Sequence, residues 1–214
     1  MSTPTPPPRR ALLVIDVQNE YVTGKLRIEY PPIQTSLANI TLALDAARAA
    51  GIAVIMVQHG APATSPIFAQ GSDGWQLHPS VADFAADHHI HKSKASVFAD
   101  TDLGDWLHSH AIDTLTVAGY MTHNCDASTI YYAAHHGLQV EFLADATGSL
   151  PYENAAGKAS AEEIHRVYST VFHSNFAAVA STAEWIAAVQ EGKPLARDNI
   201  FLSNQRAARP GSGV

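Results

Sequence analysis

The sequence predicts an α/β fold in which a parallel sheet is covered by helices on both faces. Three observations carry this. Short apolar runs too compact for helices recur along the chain and end in polar residues, as buried parallel strands do. Segments with helical spacing separate them. Finally, the 214 residues contain no internal repeat and no linker that divides them, and that length suits one α/β domain.

Taken in order, MSTPTPPPRR (1–10) reads as a disordered tail, because prolines cannot join a ladder and little there is apolar. ALLVID (11–16) is the first strand, delivering Asp16 at its end. IQTSLANITLALDAARAAG has helical spacing and closes on Gly51, suited to a left-handed C-terminal position. IAVIMVQH (52–59) is a second buried strand ending at His59. Residues 60–80 carry Pro62, Pro66 and Pro79 with little periodicity, and a loop of that length is expected to shape a site.

HHIHKSKASVF runs from a short strand into two lysines, and a helix is expected from near Thr101. TLTVAGY (114–120) is the next strand, residues 123–136 are helical up to Gly137, and QVEFLADA is a strand that ends at Asp145. Ser160 with Glu163, and Ser181 with Glu184, form capping boxes that open two further helices. FAAVAS lies between those helices as the last strand, and the chain from 205 to 214 reads as a loose tail.

Composition narrows the partners. Thirteen Lys and Arg against 20 Asp and Glu give a net charge of −7, and no basic stripe offers a nucleic-acid footprint. No apolar run approaches the ~20 residues that span a bilayer. The N-terminus lacks the apolar core of a secretion signal, and one cysteine cannot form an internal disulfide. A cytoplasmic protein without nucleic-acid or membrane partners is expected.

In parallel sheets ligands bind beyond the carboxyl ends of the strands, which singles out Asp16, His59, Gly119 to Cys125, and Asp145. Cys125 sits near the first turn of a helix, where the dipole favours a thiolate; a buried core thiol is the competing explanation. Asp16 is either a general base or a turn aspartate. Lys92 or Lys94 could supply a cation beside it, or both could be a solvated surface pair. His59, His78, His88, His89 and His91 raise the question of a metal, but no ligand spacing such as HExxH is present. His123 could pair with Cys125, although side chains two residues apart at a helix start diverge. Tyr21, Trp75 and Phe98 are candidates for an apolar pocket wall or for ordinary packing.

Three segments together resemble the cysteine hydrolases of the isochorismatase-like superfamily: LLVIDVQNEY, HKSKASVFADTDLGDWL and VAGYMTHNCDAST. The resemblance runs from Ala11 to about Glu184. It implies a three-layer αβα, Rossmann-like domain over residues 11–204 with a six-stranded parallel sheet. It also implies a triad of Asp16, Lys92 (chosen over Lys94) and Cys125, with a cis peptide between Tyr120 and Met121. In this scheme the N–H groups of Met121 and Cys125 form an oxyanion hole, and Gln18, Tyr21, His59, Trp75, Phe98 and Tyr120 are the expected substrate-binding residues.

The implied activity is hydrolysis of a non-peptide C–N bond in a small amide, carbamoyl or ureido compound, by a dimer or tetramer without cofactor. Relatives that cleave nicotinamide hold zinc through Asp-x-His. Here Val57 precedes His59 at that spacing, so no zinc is expected. The residue after the nucleophile is usually small and apolar; here it is Asp126. Alternatives are a redox-sensing or non-catalytic thiol protein on the same fold, a Cys–His hydrolase, or an isochorismate-type vinyl ether hydrolase.

Overall fold

A computed structural model of the chain describes residues 6–208. The expected beginning of the Pro-rich tail (1–5) and the last part of the C-terminal tail (209–214) lie outside the described residues. The elements are β1 (Arg10–Ile15), α1 (Ile33–Ala50), β2 (Ala53–His59), a short α2 (Pro79–Ala82), β3 (His88–Lys92), α3 (Leu103–Ser109), β4 (Thr114–Tyr120) and α4 (Ala127–His135). They continue with β5 (Gln139–Gly148), β6 (Tyr152–Asn154), β7 (Gly157–Ala159), α5 (Ala161–Val171), β8 (Ala178–Ala180), α6 (Thr182–Gln190) and α7 (Ile200–Ala207).

Six strands form one parallel sheet in the order β3-β2-β1-β4-β5-β8. Every residue of β1 and β4 is buried, as expected of central strands covered on both faces. Successive side chains point to opposite faces. Leu12 and Val14 join Ile40, Leu44 and Trp185 in the core beneath α1 and α6. Ala11, Leu13 and Ile15 join Leu107, Ile130 and Phe172 in the core beneath α3, α4 and the end of α5. This is the three-layer α/β architecture expected from the sequence.

From β1 the chain winds outward through β2 and β3, then crosses to β4 on the other side and winds outward again. The connections that follow β1 and β4 therefore leave in opposite directions and open a crevice at the carboxyl ends of these two strands. Gly119 allows the strands to approach there. It sits opposite Ile15, has φ +110°, and a Cβ on it would lie 2.0 Å from the Ile15 carbonyl oxygen.

Local signals explain the helix ends. Gly51 closes α1 in the left-handed conformation, and Ser160–Glu163 and Ser181–Glu184 both form reciprocal capping boxes. Several boundaries differ from expectation. Arg10, expected in the tail, is the buried first residue of β1 and is paired with Glu141 at 2.8 Å. Residues 205–207, expected to be loose, complete α7. β5 continues past Asp145 to Gly148 after a register shift opposite β4. Tyr152–Ala159 fold into a small antiparallel hairpin of β6 and β7, too short to show a periodic pattern in sequence. No helix among the described residues is long and apolar enough to cross a membrane.

Candidate active site

β1 ends at Ile15, and Asp16 follows with φ +50° while its N–H still donates to the Val57 carbonyl at 3.0 Å. Lys92 is the last residue of β3, in register with His59, and its carbonyl accepts from the Gly60 N–H. β4 ends at Tyr120; the Tyr120–Met121 peptide is cis, and a π-helical turn over Thr122–Asp126 precedes α4. Turns of that kind recur at functional sites. Cys125 lies within this turn, and its carbonyl accepts from the Thr129 hydroxyl at 2.7 Å. Thr129 in turn accepts from the Val97 N–H at 3.1 Å, which ties the turn holding Cys125 to the segment after β3.

Three distant segments thus bring Asp16, Lys92 and Cys125 together. Lys92 Nζ lies 2.7 Å from Asp16 Oδ2, with both side chains fully buried, and 3.3 Å from Cys125 Sγ. Its third partner is the Lys94 carbonyl at 3.1 Å. Asp16 Oδ1 has no hydrogen-bond donor. The Lys94 side chain points outward to an exposed ion pair with Asp100, so only Lys92 belongs to the cluster.

The sequence left open whether the helix start lowers the Cys125 thiol pKa or the thiol is a buried core group; burial pushes the pKa well above the usual thiol value. The Asp16 charge pushes in the same direction, while Lys92 pulls it down. For Lys92, burial acts to lower the pKa, but Asp16 and Cys125 outweigh it and the ammonium form is favoured. The arrangement therefore favours a neutral thiol beside a Lys–Asp ion pair.

The expected substrate-binding residues divide. Tyr21, buried between the Phe68 and Tyr120 rings, faces the cluster: burial raises its phenol pKa, followed by the charges of Cys125 and Asp16. His59 packs edge-on to Phe68 and brings Nδ1 within 3.5 Å of Lys92 Nζ. Gln18 is a brace rather than a ligand contact. Its amide donates to the His59 and Trp75 carbonyls at 2.9 and 2.7 Å and accepts from the His59 N–H at 2.9 Å. The Trp75 carbonyl receives Gln58 as well, which anchors the 60–80 loop. The Tyr120 hydroxyl is tied to Ser36 of α1 at 2.7 Å, and Phe98 stacks on Tyr132 of α4, so both serve packing.

Other candidates are placed elsewhere. Asp145 accepts from the N–H and hydroxyl of Thr182 at 2.8 and 2.7 Å, helping to fix the start of α6, so it is not a site residue. His123 pairs with Ser149 at 3.2 Å and packs edge-on against Tyr152. Among the described residues, no group of three or more His, Cys, Asp or Glu could hold a metal ion. The zinc of nicotinamide-cleaving relatives does not fit here: Val57 is buried in the sheet and His59 faces an ammonium.

Two participants were not singled out from sequence. Phe68, at φ +51°, closes the wall between His59 and Tyr21. Tyr152 has its phenol pKa raised by burial and then by the Cys125 charge. With His123, Lys158, Ile164 and Tyr168 it lines a cleft of about 600 Å³ beside the turn that holds Cys125.

The sequence matches the isochorismatase domain family over residues 10–189. Among solved structures it is similar to an isochorismatase-type protein from Burkholderia xenovorans LB400, at 69% identity and a TM-score of 0.93, covering 94% of this chain and 97% of that one. It is also similar to a cysteine hydrolase from Pseudomonas syringae pv. phaseolicola 1448A, at 27% identity and a TM-score of 0.80, covering 90% and 100%. The nicotinamidase of Escherichia coli K12 is 29% identical, with 64% of this chain and 82% of that protein covered.

Proposed function

The chain belongs to the isochorismatase family, and from that premise we propose that this hydrolase cleaves a non-peptide C–N bond in a small amide, carbamoyl or ureido substrate. The observation that carries the reading is the buried Lys92 ammonium, held at 2.7 Å from Asp16 and 3.3 Å from the Cys125 sulfur. A thiol between a base and a cation suits acyl transfer. Likeness to a cysteine hydrolase and to a nicotinamidase supports it.

In the proposed cycle, Asp16 accepts the Cys125 proton as sulfur attacks the carbonyl carbon. Lys92 stabilises the growing negative charge, and the N–H groups of Met121 and Cys125 receive the oxyanion. Asp16 returns the proton to the departing nitrogen as the C–N bond breaks, leaving a thioester. Water then gives a proton to Asp16, attacks the thioester and releases the acid, and the proton returns to sulfur. No cofactor takes part. Tyr21, His59 and Tyr152 border the substrate, and the reading includes a cytoplasmic homo-oligomer.

The test is ammonia release from a panel of primary amides, carbamoyl and ureido compounds, with isochorismate as the vinyl ether control. Quenched reactions would be weighed by intact mass spectrometry. An acyl adduct on Cys125, lost in Cys125→Ser, is the expected result. Near-wild-type turnover by folded Asp16→Asn, or turnover of isochorismate alone, overturns the proposal.

A further inference from the structure

We propose that Asp126 is a positioning residue for Cys125: a buried carboxyl group that keeps its proton, donates it to Thr147, and heads a hydrogen-bond chain through Thr122 to His165. The purpose of this chain rests on the thiol-hydrolase reading above; the location of the proton does not.

The argument is a count of protons. Asp126 Oδ2 lies 2.5 Å from Thr147 Oγ1, Thr147 Oγ1 lies 3.2 Å from Thr122 Oγ1, and Thr122 Oγ1 lies 3.0 Å from His165 Nδ1. Each of these contacts needs one proton, and two hydroxyls supply only two. A neutral His165 that carries its proton on Nε2 presents Nδ1 to Thr122 as an acceptor. The third proton must therefore stand at one end of the chain.

If it stands on His165 Nδ1, Asp126 is left as a buried carboxylate, whether the ring is the neutral Nδ1–H tautomer or an imidazolium. If it stands on Asp126, both ends are neutral. Asp126, Thr147 and Thr122 are fully buried, His165 nearly so, and Asp126 Oδ1 has no partner. An uncompensated charge in such a place costs several kcal/mol, so the neutral arrangement wins. With it, each donor meets one acceptor from Asp126 to His165 Nδ1.

The surroundings agree. The titratable groups that act on Asp126 or feel its charge are Asp16 after β1, Lys92 from β3, Tyr120 from β4, Tyr21 and Cys125, and His165 of α5 is linked to it through Thr122 and Thr147. Burial lifts the Asp126 pKa to about 7, Asp16 adds to the rise, and the Thr147 contact and Lys92 oppose it. Burial, joined by a raising contact to Ala144, leaves His165 lowered to about 4.

The consequence lies one residue away. The Asp126 N–H closes the π-helical turn on the Met121 carbonyl at 3.2 Å, so anchoring Asp126 to β5 and α5 anchors Cys125. As a neutral acid it does this without adding a second carboxylate charge to Asp16, a charge that would make the thiol harder to ionise.

Infrared spectra of the full-length protein at pH 6 and pH 9 test the proton directly. At pH 6 an ordinary aspartate is ionised. A carboxylic-acid C=O band that is present at pH 6, weakened at pH 9 and absent from Asp126→Asn is expected; no such band, or one that survives in the variant, overturns the proposal. Should the variant not fold, nitrogen NMR of wild-type His165 at pH 6 decides: a neutral Nε2–H ring is expected, and an imidazolium or a neutral Nδ1–H ring refutes it. The positioning role is read from the pH profile of Cys125 alkylation by iodoacetamide. Wild type should show an alkaline flattening as Asp126 ionises, and Asp126→Asn should lack it; identical profiles reject the role. None of these readouts depends on amide turnover, so failure to find an amide substrate is a separate result.

Discussion

The Lys92 ammonium contacts the Asp16 carboxylate at 2.7 Å with both side chains wholly excluded from solvent. A buried pair of this kind is weak as a stabiliser, but breaking it leaves an uncompensated charge. Lys92→Met should therefore lose about 3–5 kcal/mol of stability in urea denaturation together with activity. The double variant Lys92→Met/Asp16→Leu should regain most of that stability while remaining inactive. If the double variant is as unstable as the single one, the pair is not what Lys92 contributes.

Thiol reactivity and catalysis should separate. Burial first, then the Asp16 charge, keep the Cys125 thiol protonated, while Lys92 opposes them. Asp16→Asn should accordingly speed iodoacetamide alkylation at neutral pH and Lys92→Met should slow it. Turnover should fall by several orders of magnitude in both, because the three residues act as a unit. Alkylation that slows in Asp16→Asn would mean that the carboxylate assists sulfur even in the resting state.

Gly119→Ala should be among the most damaging single changes. The added Cβ would lie 2.0 Å from the Ile15 carbonyl oxygen and 2.6 Å from the Ile15 nitrogen, in a backbone conformation that disfavours a side chain. A loss on the order of 3–5 kcal/mol, or failure to fold, is expected. Near-normal melting would show that β1 and β4 can separate without cost.

Two buried groups tilt stability with pH in opposite directions. His165 has its pKa lowered to about 4 in the folded protein, so between that value and about 6.5 the unfolded chain binds a proton that the folded chain does not. Stability from this group is complete above the unfolded value and falls as pH drops, by up to ~1.4 kcal/mol per pH unit. His165→Gln should flatten that acid-side slope in denaturation curves.

Asp126, raised to about 7, behaves oppositely: the folded chain holds a proton that the unfolded chain loses above about 3.9, so its contribution is present at low pH and is lost as pH rises through 7. Asp126→Asn should therefore gain stability relative to wild type as pH rises from 4 to 8. A difference that does not change with pH would contradict the neutral-acid assignment.

Much of the architecture was legible in residue order. Apolar runs such as ALLVI and TLTVAG are too short for helices and too apolar for exposed strands, so burial in a parallel sheet followed from burial energetics alone. Gly51 and the two Ser–Glu capping boxes marked helix ends because they act over three or four residues. The segments carrying Asp16, Lys92 and Cys125 were recognisable because each closes a strand or opens a helix.

What sequence could not supply were effects that depend on distant neighbours. Gln18 and Tyr120 look like site residues from their positions; only the folded chain shows their polar groups bound to the His59 backbone and to Ser36. The balance acting on the thiol was likewise not legible, because the helix start is a local feature while burial and the Asp16 charge come from other strands. Asp126 was legible as an oddity beside the cysteine, but its partners Thr147 and His165 lie 21 and 39 residues further on (147 − 126 and 165 − 126). Local pattern determined the elements and their order, since hydrophobic periodicity and capping act within a few residues. Tertiary structure decided which polar groups face a ligand and which are already satisfied, because desolvation and hydrogen bonding depend on what the chain brings alongside.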